Sequence, residues 1–94
     1  MLLLGRKSAS ERIAAFLLEM SERLAAASGK DVADTESQTF DLPFSRQQVA
    51  DVLGLTIETV SRQFTKLKSD GVIDLPSRRS VAILNRDELE ERAG

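Results

Sequence analysis

Three side chains on one short segment have the chemistry to read a base pair: Glu58, Ser61 and Arg62. Spacings of three and four residues place them on one face of a helix. An arginine can donate two parallel hydrogen bonds to guanine O6 and N7. A glutamate can accept from a cytosine N4 amine, and a serine suits a base edge or a thymine methyl. A carboxylate facing phosphates is otherwise unfavourable, which strengthens the base-reading role of Glu58; its alternative is charge stabilisation of a helix start, and the two can coexist. Arg62 has a plainer alternative as a solvated arginine paired to a nearby acid such as Glu58. Ser61 reads almost equally as an ordinary surface serine. Ile57 could touch a thymine methyl or merely staple the helix start.

These residues need two helices to position them. In Ser45-Arg-Gln-Gln-Val-Ala-Asp-Val-Leu-Gly54, Ser45 can cap a helix start, and Gln48 three residues on completes a capping box. Val49, Val52 and Leu53 follow on one apolar face, and Ala50 is small where a second helix must cross. Gly54 supplies the backbone freedom that ends this helix. Thr56 caps the second helix, which runs from Ile57 to about Asp70, where Gly71 ends it. Two helices joined by so short a turn read as a helix-turn-helix. Val49, Leu53, Leu55, Val60, Phe64 and Leu67 are its expected core. Gln63 stands where such motifs usually show an apolar residue, and adjacent Phe64 is the candidate for that volume.

The rest of the chain builds a support. Ser8 to about Ala27 is a helix, capped by Ser8 or Ser10, with Glu11 three residues after Ser8 and a stripe of Ile13, Leu17, Met20 and Leu24 widened by Phe16. The polar stretch 28–39 reads as a surface loop closing on a short extended piece, Phe40-Asp-Leu42, held out of helix by Pro43. Val72-Ile-Asp-Leu75 and Ser80-Val-Ala-Ile-Leu84 are β-rich runs around the turn Pro76-Ser-Arg-Arg79, a hairpin wing. Asn85 caps a last short helix with Glu88 as its box partner. The expected fold is mainly α with a small antiparallel β wing, a winged helix-turn-helix over residues 8–94. Residues 1–7, with Leu2-Leu-Leu4, have no core of their own and read as the remnant of a longer dimerisation helix or linker.

The net charge of −2 argues mildly against nucleic acid, so its distribution decides. Residues 45–80 hold six basic and four acidic groups, whereas 8–41 hold three and seven. A phosphate feels the local field within about 10 Å, the Debye length near 0.1 M salt, more than the total. Arg78 and Arg79 suit phosphate contact or serve equally as a charged, soluble hairpin tip. Thr56 and Thr59 could donate to phosphates, although capping already accounts for Thr56. Lys66 and Lys68 read as a solvated face with occasional phosphate contact. The chain has no cysteine and no histidine. That excludes disulfides and thiolate chemistry and removes the commonest metal ligand and general base. With no glycine-rich phosphate loop and no convergent acids, an enzyme is not expected, and no cofactor. Met1-Leu-Leu-Leu-Gly5 is too short for a membrane span or signal-peptide core, which points to the cytoplasm.

Leu53-Gly-Leu-Thr-Ile-Glu-Thr-Val-Ser-Arg62 resembles the recognition motif of the CRP/FNR superfamily of bacterial transcription regulators. Glu58-x-x-Ser61-Arg62 is similar to the FNR and FixK branch, and Ile57 stands where the cyclic-AMP receptor protein has an arginine. Gly5 to Ile13 is similar to the family's segment leaving the dimerisation helix, and Asn85 to Gly94 to its closing helix. The resemblance implies double-stranded DNA as partner, read at inverted TTGA-like half-sites through Ile57, Glu58, Ser61 and Arg62. It implies that residues such as Ser45, Arg46 and Gln47, at a helix N-terminus, clamp the DNA backbone; solvated polar residues are the alternative there. It implies a homodimeric parent and RNA polymerase contact near the 28–39 loop. The family's sensor β-barrel and most of its dimerisation helix have no counterpart in the 94 residues, so effector binding and obligate dimerisation do not carry over. The rival reading is a winged helix that binds protein, favoured by the acidic first helix and the polar loop; such a module has no need of the Glu58/Ser61/Arg62 face.

Overall fold

The computed structural model describes residues 7–27 and 38–94. Helix α1, Ala9–Ala27, starts at a reciprocal cap. The Ser8 backbone donates to Glu11 Oε1, and the Glu11 backbone donates to Ser8 Oγ. Ile13, Ala14, Phe16 and Leu17 turn inward and are buried, with Met20 and Leu24 packed at the edge of the same cluster. Ser21 is also fully buried. Its hydroxyl donates to the Leu18 carbonyl and accepts from Arg86, so the polar group carries no desolvation debt.

The chain then forms β1, Gln38–Asp41, before α2, Arg46–Leu53, and α3, Ile57–Ser69. Strands β2, Ile73–Asp74, and β3, Ser80–Ile83, precede α4, Arg86–Arg92. The sheet is three-stranded and antiparallel in the order β1-β3-β2. The expected extended piece at 40–42 is therefore an outer strand of the wing sheet, in register Phe40 opposite Val81. It satisfies the edge of β3 that a bare hairpin would leave unpaired. The Leu42 amide extends this pairing to the Arg79 carbonyl, tying the wing turn to the entry of α2.

Both motif helices are capped as their sequence predicts. Ser45 and Gln48 form the reciprocal box on α2, and Gly54 at φ 69° ends it in the left-handed region. Thr56 Oγ1 accepts the Thr59 amide at the start of α3. Val49 and Ala50 from α2 and Val60, Phe64 and Leu67 from α3 enter the core. The burial of Phe64 fills the place Gln63 cannot. Val52 departs from expectation: it is 62% exposed. The buried arc of this two-turn helix centres on Val49, Ala50 and Leu53, and Val52 falls beyond its edge. The Asn85 cap also differs in part. Its side chain accepts the Glu88 amide, but its own amide donates to the Val72 carbonyl, and Glu88 pairs with Arg92 instead. The remnant at 1–6 and the loop at 28–37 lie outside the described residues.

Helix α4 bridges the first and third helices. Arg86 reaches Ser21 and Glu22 of α1, and Arg92 reaches Asp70 at the C-cap of α3. Asp70 also faces Lys66, 3.7 Å away. Hydrogen bonding from Arg92, with added attraction from Lys66, holds the Asp70 carboxyl below the usual carboxylate range.

Candidate nucleic-acid interface

Helix α3 presents Ile57, Glu58, Ser61 and Arg62 to solvent. Ile57, the first residue after the cap, is 39% exposed, so part of its side chain is presented at the surface. Glu58 lies in the first turn, where the helix dipole favours a carboxylate. Among the ion pairs of the described residues, Glu58 and Arg62 do not meet, so the solvated-pair alternative is not what the structure contains. The exposed face continues further than the sequence reading took it. A surface groove runs along Ser61, Arg62, Thr65, Lys66, Ser69 and Asp70. Its signal was present in the sequence as small hydroxyl residues every fourth position, 61, 65 and 69.

The phosphate candidates divide into two groups. Ser45, Arg46, Arg78 and Arg79 line one cleft of about 410 Å³ between the start of α2 and the wing turn. Residues far apart in sequence thus converge, brought together by the Leu42–Arg79 backbone bond and the capping box. Among the described residues no acidic side chain lines this cleft, and a helix N-terminus borders it. Gln47, Thr56 and Thr59 do not join it. The Gln47 amide donates to Asp51 one turn on, and the Thr56 hydroxyl donates to that of Thr59.

Arg46 differs from the other two arginines. Its guanidinium carbon stands 4.0 Å from the centroid of the Phe64 ring on α3. Burial pushes its pKa below the ordinary arginine value. Its Nη1 is buried and has no hydrogen-bond partner among the described residues. A buried, unmet N–H on a charged group is costly unless something anionic reaches the same guanidinium. Arg78 and Arg79 are exposed at the wing tip. No group of histidine, cysteine or carboxylate residues that could hold a metal ion is found among the described residues. None of the described helices is long and apolar enough to cross a membrane.

A family model described as a Crp-like helix-turn-helix domain matches residues 11–92. The transcriptional activator protein FnrL of Cereibacter sphaeroides is 49% identical over 94 residues, all of this chain and 37% of the relative. The nitrogen fixation regulation protein FixK of Bradyrhizobium diazoefficiens is 59% identical over 73 residues, 78% of this chain and 28% of the relative. The solved structure of FixK2 from Bradyrhizobium japonicum superposes with a TM-score of 0.79 at 41% identity, covering all of this chain and 42% of that one. The molecule is thus a winged helix-turn-helix domain, and the chain belongs to the Crp-like helix-turn-helix family. Within the CRP/FNR superfamily it falls on the FNR/FixK branch, as a DNA-binding domain. The chain spans between 28% and 37% of the length of these curated relatives.

Proposed function

We propose that this chain is the sequence-reading part of a transcription regulator and that α3 enters the major groove at TTGA-like half-sites. The observation that carries this reading is the α3 face itself. Ile57, Glu58, Ser61 and Arg62 are exposed together, and Glu58 and Arg62 are not consumed by each other. Arg62 takes a guanine, Glu58 a cytosine amine, Ser61 a base edge or methyl, and Ile57 a thymine methyl. Ser45, Arg46, Arg78 and Arg79 then grip the backbone through the cleft between α2 and the wing. Three guanidiniums and a helix N-terminus around one volume suit a phosphate. Gln47, Thr56 and Thr59 contribute by exchanging their internal hydrogen bonds for phosphate ones.

Read this way the domain performs no covalent chemistry and takes no cofactor. It works in the cytoplasm, within a homodimeric parent that places one α3 in each of two successive major grooves. The relatives named as activators favour contact with RNA polymerase as a further role. Binding selection from random duplexes tests the reading and the site together. Enrichment of TTGA-like half-sites is expected; a selected pool with no preferred sequence would overturn it.

A further inference from the structure

We infer that Phe64 is a positioning residue for backbone contact: its ring holds the Arg46 guanidinium in place on the wall of the cleft. The inference rests on the phosphate role proposed for Arg46 and adds how that role is prepared. Position 64 needs apolar volume, since it lies in the core between Val60 and Leu67 on successive turns of α3. An aliphatic residue would meet that need. An aromatic ring adds a face of negative potential, and Arg46 lies over it at 4.0 Å.

The chemistry of the hold matters. A carboxylate partner would fix the arginine but neutralise it, leaving little attraction for a phosphate. A ring fixes it and leaves the positive charge intact. Among the described residues Arg46 is in no ion pair, and Arg78 and Arg79 line the same cleft. The backbone at Arg46 is fixed as well, because Ser45 immediately before it closes the capping box. Cap and ring together remove freedom that a long side chain would otherwise lose on binding. They also couple α2 to α3, so the arginine that grips the backbone is seated on the helix that reads the bases.

The test is a double-mutant cycle in DNA affinity, with the salt dependence measured for each protein on a specific and a random duplex. Phe64→Leu keeps aliphatic volume and removes the ring face. It is expected to weaken binding about 2- to 30-fold on both duplexes, the range a cation–π contact spans, and to move the salt slope toward that of Arg46→Ala. In the Arg46→Ala background the same change should cost less than about twofold, because there is no guanidinium left to position. Equal losses in both backgrounds would mean Phe64 is only core, and the inference falls. Arg46→Lys reports from the half-buried partner should Phe64→Leu fail to fold: it keeps the charge and gives up the planar stack. Wild-type binding by Arg46→Lys overturns the inference. If Arg46→Ala itself changes neither affinity nor salt slope, the phosphate role has failed; if it weakens binding while Phe64→Leu does not, that role stands and the positioning role alone is lost.

Discussion

Arg62 and Arg46 carry the same group toward different chemistry. Arg62 stands exposed on the α3 face, where, in the proposed reading, two parallel N–H bonds would distinguish guanine from other bases. Arg62→Ala should therefore cost about 1–3 kcal/mol on a cognate site and flatten the preference at the half-site guanine. Titration against cognate and random duplexes checks this, and an equal loss on both removes the base-reading assignment. Arg46 and Arg79 line a cleft suited to phosphate, which carries no sequence information. Alanine at either should weaken binding to every sequence alike and reduce the slope of log K against log salt by about one. An unchanged slope for both variants would show that neither meets phosphate. That Glu58, Ser61 and Arg62 share one exposed face was legible in the sequence because spacing along one helix fixes which side chains lie together. The seat of Arg46 was not, since its partner ring lies on another helix and the contact exists only once α2 has packed on α3.

At the scale of elements, the helix starts were the most legible feature. Ser45 with Gln48, and Ser8 with Glu11, are local chemistry that needs no tertiary information. Long-range pairing was not legible in the same way. Nothing local in Phe40-Asp-Leu42 says that it joins β3, and a helix as short as α2 could not fix by periodicity alone that Val52 stays outside. The turn of the motif depends on Gly54 for its positive φ rather than for space, since a Cβ there would meet only ordinary contact with Arg12. Gly54→Ala should then cost about 1–2 kcal/mol from backbone conformation, visible as a melting temperature lower by several degrees. A variant as stable as the parent would refute the strain. The far end of α3 makes a pH prediction. Arg92 hydrogen bonding lowers the Asp70 pKa, so this contact stabilises the fold above the carboxylate value of the unfolded chain. That contribution is lost as pH falls through the lower folded value. Asp70→Asn should be less stable than the parent at pH 7, and the gap should close in acid. Thermal melts across pH would contradict this if the gap stayed constant.

For the whole molecule the deciding quantity is how many reading helices engage at once. One copy offers a single α3 and a single cleft, in a chain whose net charge of −2 gives no general attraction to DNA. Half of an inverted repeat then supplies only half of the contacts. Joining two copies turns the second engagement into an intramolecular event, which raises avidity by about 10²–10⁴-fold when the linkage lets both reach their sites. A parallel dimeric coiled coil fused ahead of Met1 supplies such a linkage. The fused protein should bind an inverted repeat of its half-site tightly when the centres are about one helical turn apart. It should lose that gain when one half-site is scrambled or the spacing is shifted by half a turn, which puts the second groove on the opposite side. Binding isotherms on the three duplexes, with the unfused chain alongside, separate the possibilities. A gain that ignores spacing would mean that the fusion adds only non-specific charge contacts. Equally tight operator binding by the unfused chain would mean that one domain suffices for affinity.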